Sequence, residues 1–436
     1  TIQVTLLALR SRSAPRRLIQ PPVPAATPEA TLHDHLTRSE RFVPSDRLAL
    51  PLPLGGRWQV TQSFDGPHTH RESWRHGIDL EAVDEDGRLF RGDGSRTEDF
   101  YAFGAPVFAP LAGRVVATVS HLENNPVGQV DSDHPWGNTV VLWHGATSYS
   151  AYSHLARESL VVSVGMDVAA DSQLAKVGSS GRSPRPHLHM QAQTGPQVGA
   201  ATTPWTLLHW LTADDFDERA HYHTHGVPEE GTLLRGLRPD TKLASSLAFP
   251  LGQQLRIRVT RNGEEHEETW TSELDFHSRL WLVSRPSGAR LRLYRSSFLL
   301  IAEAYEGPRD TALHRLYHGL ARFPFAERGP LEWTDRLEIN GNIDPLRRLL
   351  AELALPVKRL AWLESTSTLR VDDSGRHVVT TQVRPRGPLA LGGARRELRV
   401  IIDGGKGLRA IEEHANGELL LRAEITDTGL VGEAVR

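Results

Sequence analysis

Apolar and polar positions change rhythm along this 436-residue chain. From residue 51 to about 212, short apolar runs alternate with Gly and Pro, the pattern of β-strands separated by turns. The runs at 106–109, 113–119 and 138–143 read as strands, 149–155 alternates like a strand edge, and 207–211 is a short apolar segment placed to close the domain. From about residue 226 the signals become hairpins. Asn262-Gly263 separates the runs at 255–259 and 268–270, Asn416-Gly417 precedes 419–421, and Asp373-Ser374-Gly375 precedes 378–380. Asn-Gly favours a tight hairpin because both residues tolerate positive φ. Leu346, Leu349, Leu350 and Leu353 fall on one face of a helix that Asp344 caps, Pro345 opens and Pro356 ends. A second helix is predicted over 311–322. Before residue 51 the chain is first rich in Arg, Pro and Ala and then polar, as in an extended arm. The predicted organisation is mainly β: an arm or linker over 1–50, a compact β domain over 51–212 and an α+β domain over 213–436.

Composition narrows the function. The net charge is −3, with both signs mixed and no long basic run, so nothing points to nucleic acid. No apolar run approaches the ~18 residues of a membrane-spanning helix. The chain starts at Thr1, and the apolar stretch at 2–9 is too short and lacks a preceding basic segment, so no signal peptide is visible. There are no cysteines, which excludes disulfides, thiolate metal sites and Cys nucleophiles. There are 21 histidines, so His-x-His pairs arise by chance and must be judged by context.

One pair has that context. In His187-Leu188-His189 the two imidazoles share a face if the segment is a strand. A catalytic zinc site needs three protein ligands and one open position. His70, Asp79 and His189 are the ligand candidates, and in Ile78-Asp79-Leu80 the flanking residues would face the core while Asp79 faces a cleft. His154 and His187 would remain free to orient a water, accept its proton or stabilise an oxyanion. The other candidates read as structural. His144 before Gly145 suits a turn anchor, Asn138 a strand end, and Tyr152 either packing or donation to a tetrahedral intermediate. His33-Asp34-His35 has no companion ligands, and His221, His223 and His225 alternate as on a solvated strand.

These residues lie in an order that resembles the lysostaphin-like (LytM-type) zinc endopeptidases over roughly residues 55–195. Gln62-Ser63-Phe64 leads into His76-Gly77-Ile78-Asp79, then Gly104 to Val115 in the form Gly-x-Pro-Val-x-Ala, then Gly137 to Val141 before His144-Gly145. Tyr152-Ser153-His154-Leu155, the glycines at 165, 178 and 181, and Pro186-His187-Leu188-His189 complete the series. The resemblance implies a lysostaphin-like antiparallel sheet, Zn2+ as cofactor, His189 as ligand, and His154 and His187 in catalysis. It also implies hydrolysis of peptide bonds in bacterial peptidoglycan stems or cross-bridges, and a secreted or cell-envelope location. A non-catalytic module that binds or regulates wall hydrolases, and a peptidase acting on a protein outside the wall, are the alternatives.

Two departures stand out. The family commonly places its first ligand four residues before the aspartate, where this chain has Arg75. His70 fits a variant with the histidine in the preceding loop, and His76 and His68 compete with it. Asp79 and Gly104 are also separated by 24 residues, a polar excursion that reads as a surface hairpin or as a flap over the cleft, and 121–136 forms another long loop able to wall a groove.

Overall fold

In the computed structural model, the described residues are Arg41 and 47–213, 219–285, 287–326, 329–337, 345–354, 362–388 and 396–430. The expected arm over 1–46 (Arg41 apart), the Asp344 cap and the Pro356 stop lie outside them. The chain divides into two compact units. Among the described residues the first holds 47–213 and 222–236, and the second holds Arg41, 219–221 and 237–430.

The strands of the first unit's region are β1 (Leu48–Pro51), β2 (Trp58–Gln62), β3 (Gly77–Ala82), β4 (Pro106–Phe108), β5 (Gly113–Val119), β6 (Asn138–Trp143) and β7 (Tyr149–Leu155). They continue with β8 (Asp167–Val168), β9 (Gln173–Lys176), β10 (Leu188–Gln193), β11 (Trp205–Thr212), β12 (Ala220–Gly226) and β13 (Leu233–Gly236). Pairing runs β1-β11-β13-β2-β3-β10-β7-β6-β5-β8, parallel only between β1 and β11. β4 and β9 form a separate antiparallel pair. Alternation explains the buried face: Ile78 and Leu80 of β3, Leu188, Met190 and Ala192 of β10, and Val140 and Leu142 of β6 join one core with Trp58 and Trp205. Residues 222–236, beyond the boundary expected at 212, belong to this unit because β13 fills the gap between β11 and β2.

The second unit is mainly one curled sheet. Its strands follow the order Leu331–Leu337, Trp362–Val371, His377–Arg386, Arg396–Asp403, Gly407–Ala415, Glu418–Leu430 and Gln253–Arg261. The sheet goes on through Glu264–Leu274, Leu280–Arg285, Arg290–Arg295, Leu299–Glu306 and Arg322–Pro324. The three predicted hairpin turns lie between paired strands. The helix α1 (Thr241–Ser246) is capped by the Asp240 side chain. The helix α2 (Ala312–Gly319) is buried along its whole length and touches strands from both arms of the sheet, so the sheet wraps around it. The predicted leucine-faced helix is α3 (Pro345–Ala354), with Leu346, Leu349, Leu350 and Leu353 exposed.

Candidate functional site

The site is built on β3 and its two neighbours. Asp79 lies opposite His189 of β10 and Gln62 of β2, and His189 in turn lies opposite Ser153 of β7. With Ile78 and Leu80 in the core, the pleat turns Gly77, Asp79 and Glu81 to the other face. Position 77 has to be glycine. A Cβ there would stand 2.6 Å from His189 Cε1 and 2.9 Å from His70 Nε2, in space that the two rings occupy.

His70, Asp79 and His189 form the group with metal-ligating geometry among the described residues, with one donor atom from each all lying within 4.8 Å. His70 Nε2 is 3.3 Å from Asp79 Oδ1 and 3.3 Å from His189 Nδ1, and His189 Nδ1 is 2.8 Å from Asp79 Oδ1. Ligands about 2.0–2.1 Å from a tetrahedral zinc stand about 3.3 Å apart, so this donor triangle is near the right size.

The hydrogen-bond network fixes which ring nitrogen is free. His70 Nδ1 donates to the Ser63 carbonyl at 2.8 Å, leaving the Nε2 lone pair toward Asp79. Gln193 Nε2 donates to the carbonyls of Gly195 and Gln197, so its Oε1 accepts from Gln191 Nε2 at 2.9 Å. Gln191 Oε1 is thereby presented to His189 Nε2 at 2.9 Å, which makes that nitrogen the N–H and leaves Nδ1 as the atom that could ligate a metal. Gln62 completes the arrangement. Its Nε2 donates to Asp79 Oδ2 at 2.9 Å and to Thr69 Oγ1 at 2.7 Å. Its Oε1 accepts from the backbone N–H groups of His68 and Thr69 at 2.9 and 3.0 Å. One amide thus ties the loop carrying His70 to the strand carrying Asp79.

His154 and His187 stand beside this triangle, their ring centroids 4.7 Å apart. His154 Nδ1 donates to the Ser180 carbonyl at 2.9 Å. His187 Nδ1 lies 3.0 Å from the Arg185 carbonyl and 3.1 Å from Ser183 Oγ, whose own proton goes to that carbonyl. In the neutral form of each ring the proton is therefore on Nδ1 and Nε2 is the free nitrogen; His187 Nε2 is 3.9 Å from Asp79 Oδ1. His154 has φ +62°, a left-handed conformation that costs a residue with a Cβ about 1–2 kcal/mol. It is held there by its N–H on the Trp136 carbonyl and its carbonyl on the Gly178 N–H.

Burial and mutual charge set the protonation states. Burial pushes the Asp79 carboxyl up, but in the metal-free site His189 Nδ1 and His70 Nε2 hydrogen-bond it when they carry a proton, and these bonds with the charge of the neighbouring imidazoles hold the group well below the carboxylate range. Burial pushes His70 down, and its hydrogen bond and attraction to Asp79 bring it above the ordinary histidine value. His154 goes the other way: burial, with His187 and His189 alongside, drives it well below that value, so it is a neutral proton acceptor.

The competing candidates sit elsewhere. The His76 ring bonds Thr202 Oγ1 at 3.1 Å and packs edge-on against Phe64. His68 is exposed and contributes its backbone N–H to Gln62. Arg75, at the family's usual ligand position, pairs with Asp65 at 2.7 Å. Tyr152 is a core residue whose hydroxyl donates to Ser150 Oγ, and His144 bridges the Ala112 carbonyl and Ser150. Asn138 pins the carbonyls of Leu122 and Leu155. His223 stacks on Trp210 at 4.0 Å, and the alternating histidines of β12 form no metal-ligating group among the described residues.

The excursion after Asp79 folds back on itself, with Phe90 bridged to Phe100 and Arg91 N–H on the Asp99 carbonyl. Loop 121–136 is pinned to the turn before His187 through Asn125, Gly128 and Asp131, and it brings Trp136 edge-on to the His189 ring at 5.3 Å. Sequence reasoning assigned no role to Gln62, Gln191 or Gln193. The signal for the last two was present, as polar residues alternating with core residues after His189.

Part of this chain is similar to known proteins. Residues 95–200 match Peptidase family M23, a span that includes His154, His187 and His189 but not His70 or Asp79. A peptidoglycan DD-endopeptidase, ShyA of Vibrio cholerae, is 26% identical over 144 residues, which is 32% of this chain and 26% of ShyA. The chain therefore spans about a quarter of that relative's length. Among solved structures, a zinc-containing peptidase from Vibrio cholerae aligns at 22% identity over 34% of this chain and 37% of that one, with a TM-score of 0.22. The catalytic domain of lysostaphin from Staphylococcus simulans aligns at 21% identity over 34% of this chain and 89% of that one, with a TM-score of 0.22.

Proposed function

From the match of residues 95–200 to Peptidase family M23, we propose that this chain is a zinc-dependent endopeptidase that cuts peptide bonds in bacterial peptidoglycan. The observation that carries the reading is the convergence of His70 Nε2, Asp79 Oδ1 and His189 Nδ1, each histidine locked by a hydrogen bond on its other nitrogen. When bound, zinc supplies a Lewis acid that polarises a carbonyl and lowers the pKa of a water to about 7.

The chain's own residues do the rest. His154, neutral because of its burial, accepts the proton of the attacking water at Nε2. His187, with Nδ1–H directed at the Arg185 carbonyl, offers Nε2 as a second proton acceptor on the same side; once protonated there, it donates to the oxyanion and passes that proton to the departing amine. Asp79 would give one oxygen to the metal while Gln62 holds the other, which keeps the carboxylate from rotating. Peptidoglycan as substrate is supported by the name of the ShyA relative, and a cell-envelope or extracellular location follows from that substrate.

The test is zinc content of the purified chain together with muropeptide digestion followed by mass analysis. One zinc per chain and cleaved cross-links support the reading. A chain without zinc that binds wall material and cuts nothing overturns it in favour of a binding module.

A further inference from the structure

Arg185 precedes the His187-Leu188-His189 segment, and its side chain is 47% exposed while its partner Glu81 is 4% exposed. The pairing uses the guanidinium sparingly. The single Nε–H is shared between both Glu81 oxygens, at 2.9 and 2.8 Å. A guanidinium has five N–H donors, and its usual union with a carboxylate takes two of them in parallel. Here the two terminal amino groups of Arg185 have no hydrogen-bond partner among the described residues. Glu81 is buried with Arg185 as its ion-pair partner, so the carboxylate orients the cation from behind and leaves the fork open to solvent.

The fork also lies beside the reacting groups. Glu81 shares the face of β3 with Asp79, two residues further on, or roughly 7 Å along the strand. The Arg185 carbonyl is the acceptor for His187 Nδ1, so the residue that holds the imidazole also carries the cation. A planar, permanently charged group with spare parallel donors is matched to a carboxylate.

We propose that Arg185, set by Glu81, is a specificity-determining anchor for a free carboxylate of the substrate, within about two residues of the scissile bond in an extended peptide. This rests on the peptidase reading above and narrows its substrate to acidic peptides such as stem peptides with unamidated carboxyl groups. An exposed charge pair of this kind changes affinity by about two- to five-fold.

The test uses the full chain and two ligands, a cross-linked muropeptide dimer with free carboxyl groups and the same dimer amidated. Dissociation constants come from calorimetry, and KM and kcat come from digestion. The wild type is expected to favour the free acid about two- to five-fold in Kd and KM, and Arg185→Ala is expected to bring that ratio to about one. Because Arg185→Ala strands a buried carboxylate, Glu81→Gln/Arg185→Gln serves as the second variant and should lose the ratio equally. A ratio that survives in both variants, or a wild type indifferent to amidation, overturns the anchor even if the chain cuts both dimers. A free-acid preference in Kd that depends on Arg185 in a chain that cuts neither dimer upholds the anchor and sinks the peptidase reading instead.

Discussion

Gln62→Met removes the amide that joins the His70 loop to Asp79 while keeping the side chain's length and volume. Four hydrogen bonds go with it: those to Asp79 Oδ2 and Thr69 Oγ1, and those from the N–H groups of His68 and Thr69. The bond to the ionised, buried Asp79 contributes about 1.5–3 kcal/mol and each neutral one about 0.5–1.5 kcal/mol. Water replaces the loop bonds in part, because His68 and Thr69 are not buried. A net loss of about 3 kcal/mol from the stability of the zinc-free protein is therefore expected.

Zinc affinity falls separately, since the loop no longer holds His70 against Asp79. Losing an orienting partner of a ligand costs about 10–100-fold. The assay pairs thermal unfolding of chelator-treated protein with zinc competition against a chromophoric chelator. Gly66→Ala is a second route to the same lesion, because a Cβ at 66 would stand 2.3 Å from Gln62 Cγ. Wild-type zinc affinity in a folded Gln62→Met protein would refute the reasoning that this amide positions the ligands.

The remaining expectations concern the ligands and the free imidazoles. His154→Ala and His187→Ala should each lower hydrolysis by about 10²–10⁴-fold while metal analysis still finds zinc. His70→Ala should lose the metal and His76→Ala should keep it, read by equilibrium dialysis; the reverse outcome would move the first ligand to His76. Stability of the zinc-free chain should depend on pH through Asp79. Its folded-state value is depressed, so its contribution is complete above the unfolded carboxylate value of about 3.9 and is lost as pH falls through the lower folded value. Denaturant titrations at descending pH should therefore show an acid loss that Asp79→Asn abolishes.

Much of this was legible because alternation is a local signal. The strands at 113–119, 138–143 and 149–155 coincide with β5, β6 and β7, and the placement of Ile78 and Leu80 in the core is what turns Asp79 toward the site. The same periodicity puts His76, three residues before Asp79, off that face, and its ring goes to Thr202. What alternation does not encode is where a loop returns. His70 reaches Asp79 only because 63–70 folds back, with the Ser63 carbonyl on His70 Nδ1 and Gln62 on the backbone of 68 and 69. The placement of β13 between β11 and β2 is likewise a long-range pairing with no local mark at residue 212. In the second unit the leucine spacing marked α3 correctly, but spacing fixes a face and not its surroundings, and those leucines are exposed.

The most direct test of the site is anomalous diffraction at the zinc edge from crystals of the zinc-loaded full chain. The predicted result is one strong peak bounded by His70 Nε2, Asp79 Oδ1 and His189 Nδ1, with His154 and His187 beside it and outside bonding distance. A peak ligated by His76, or none between Asp79 and His189, would contradict it.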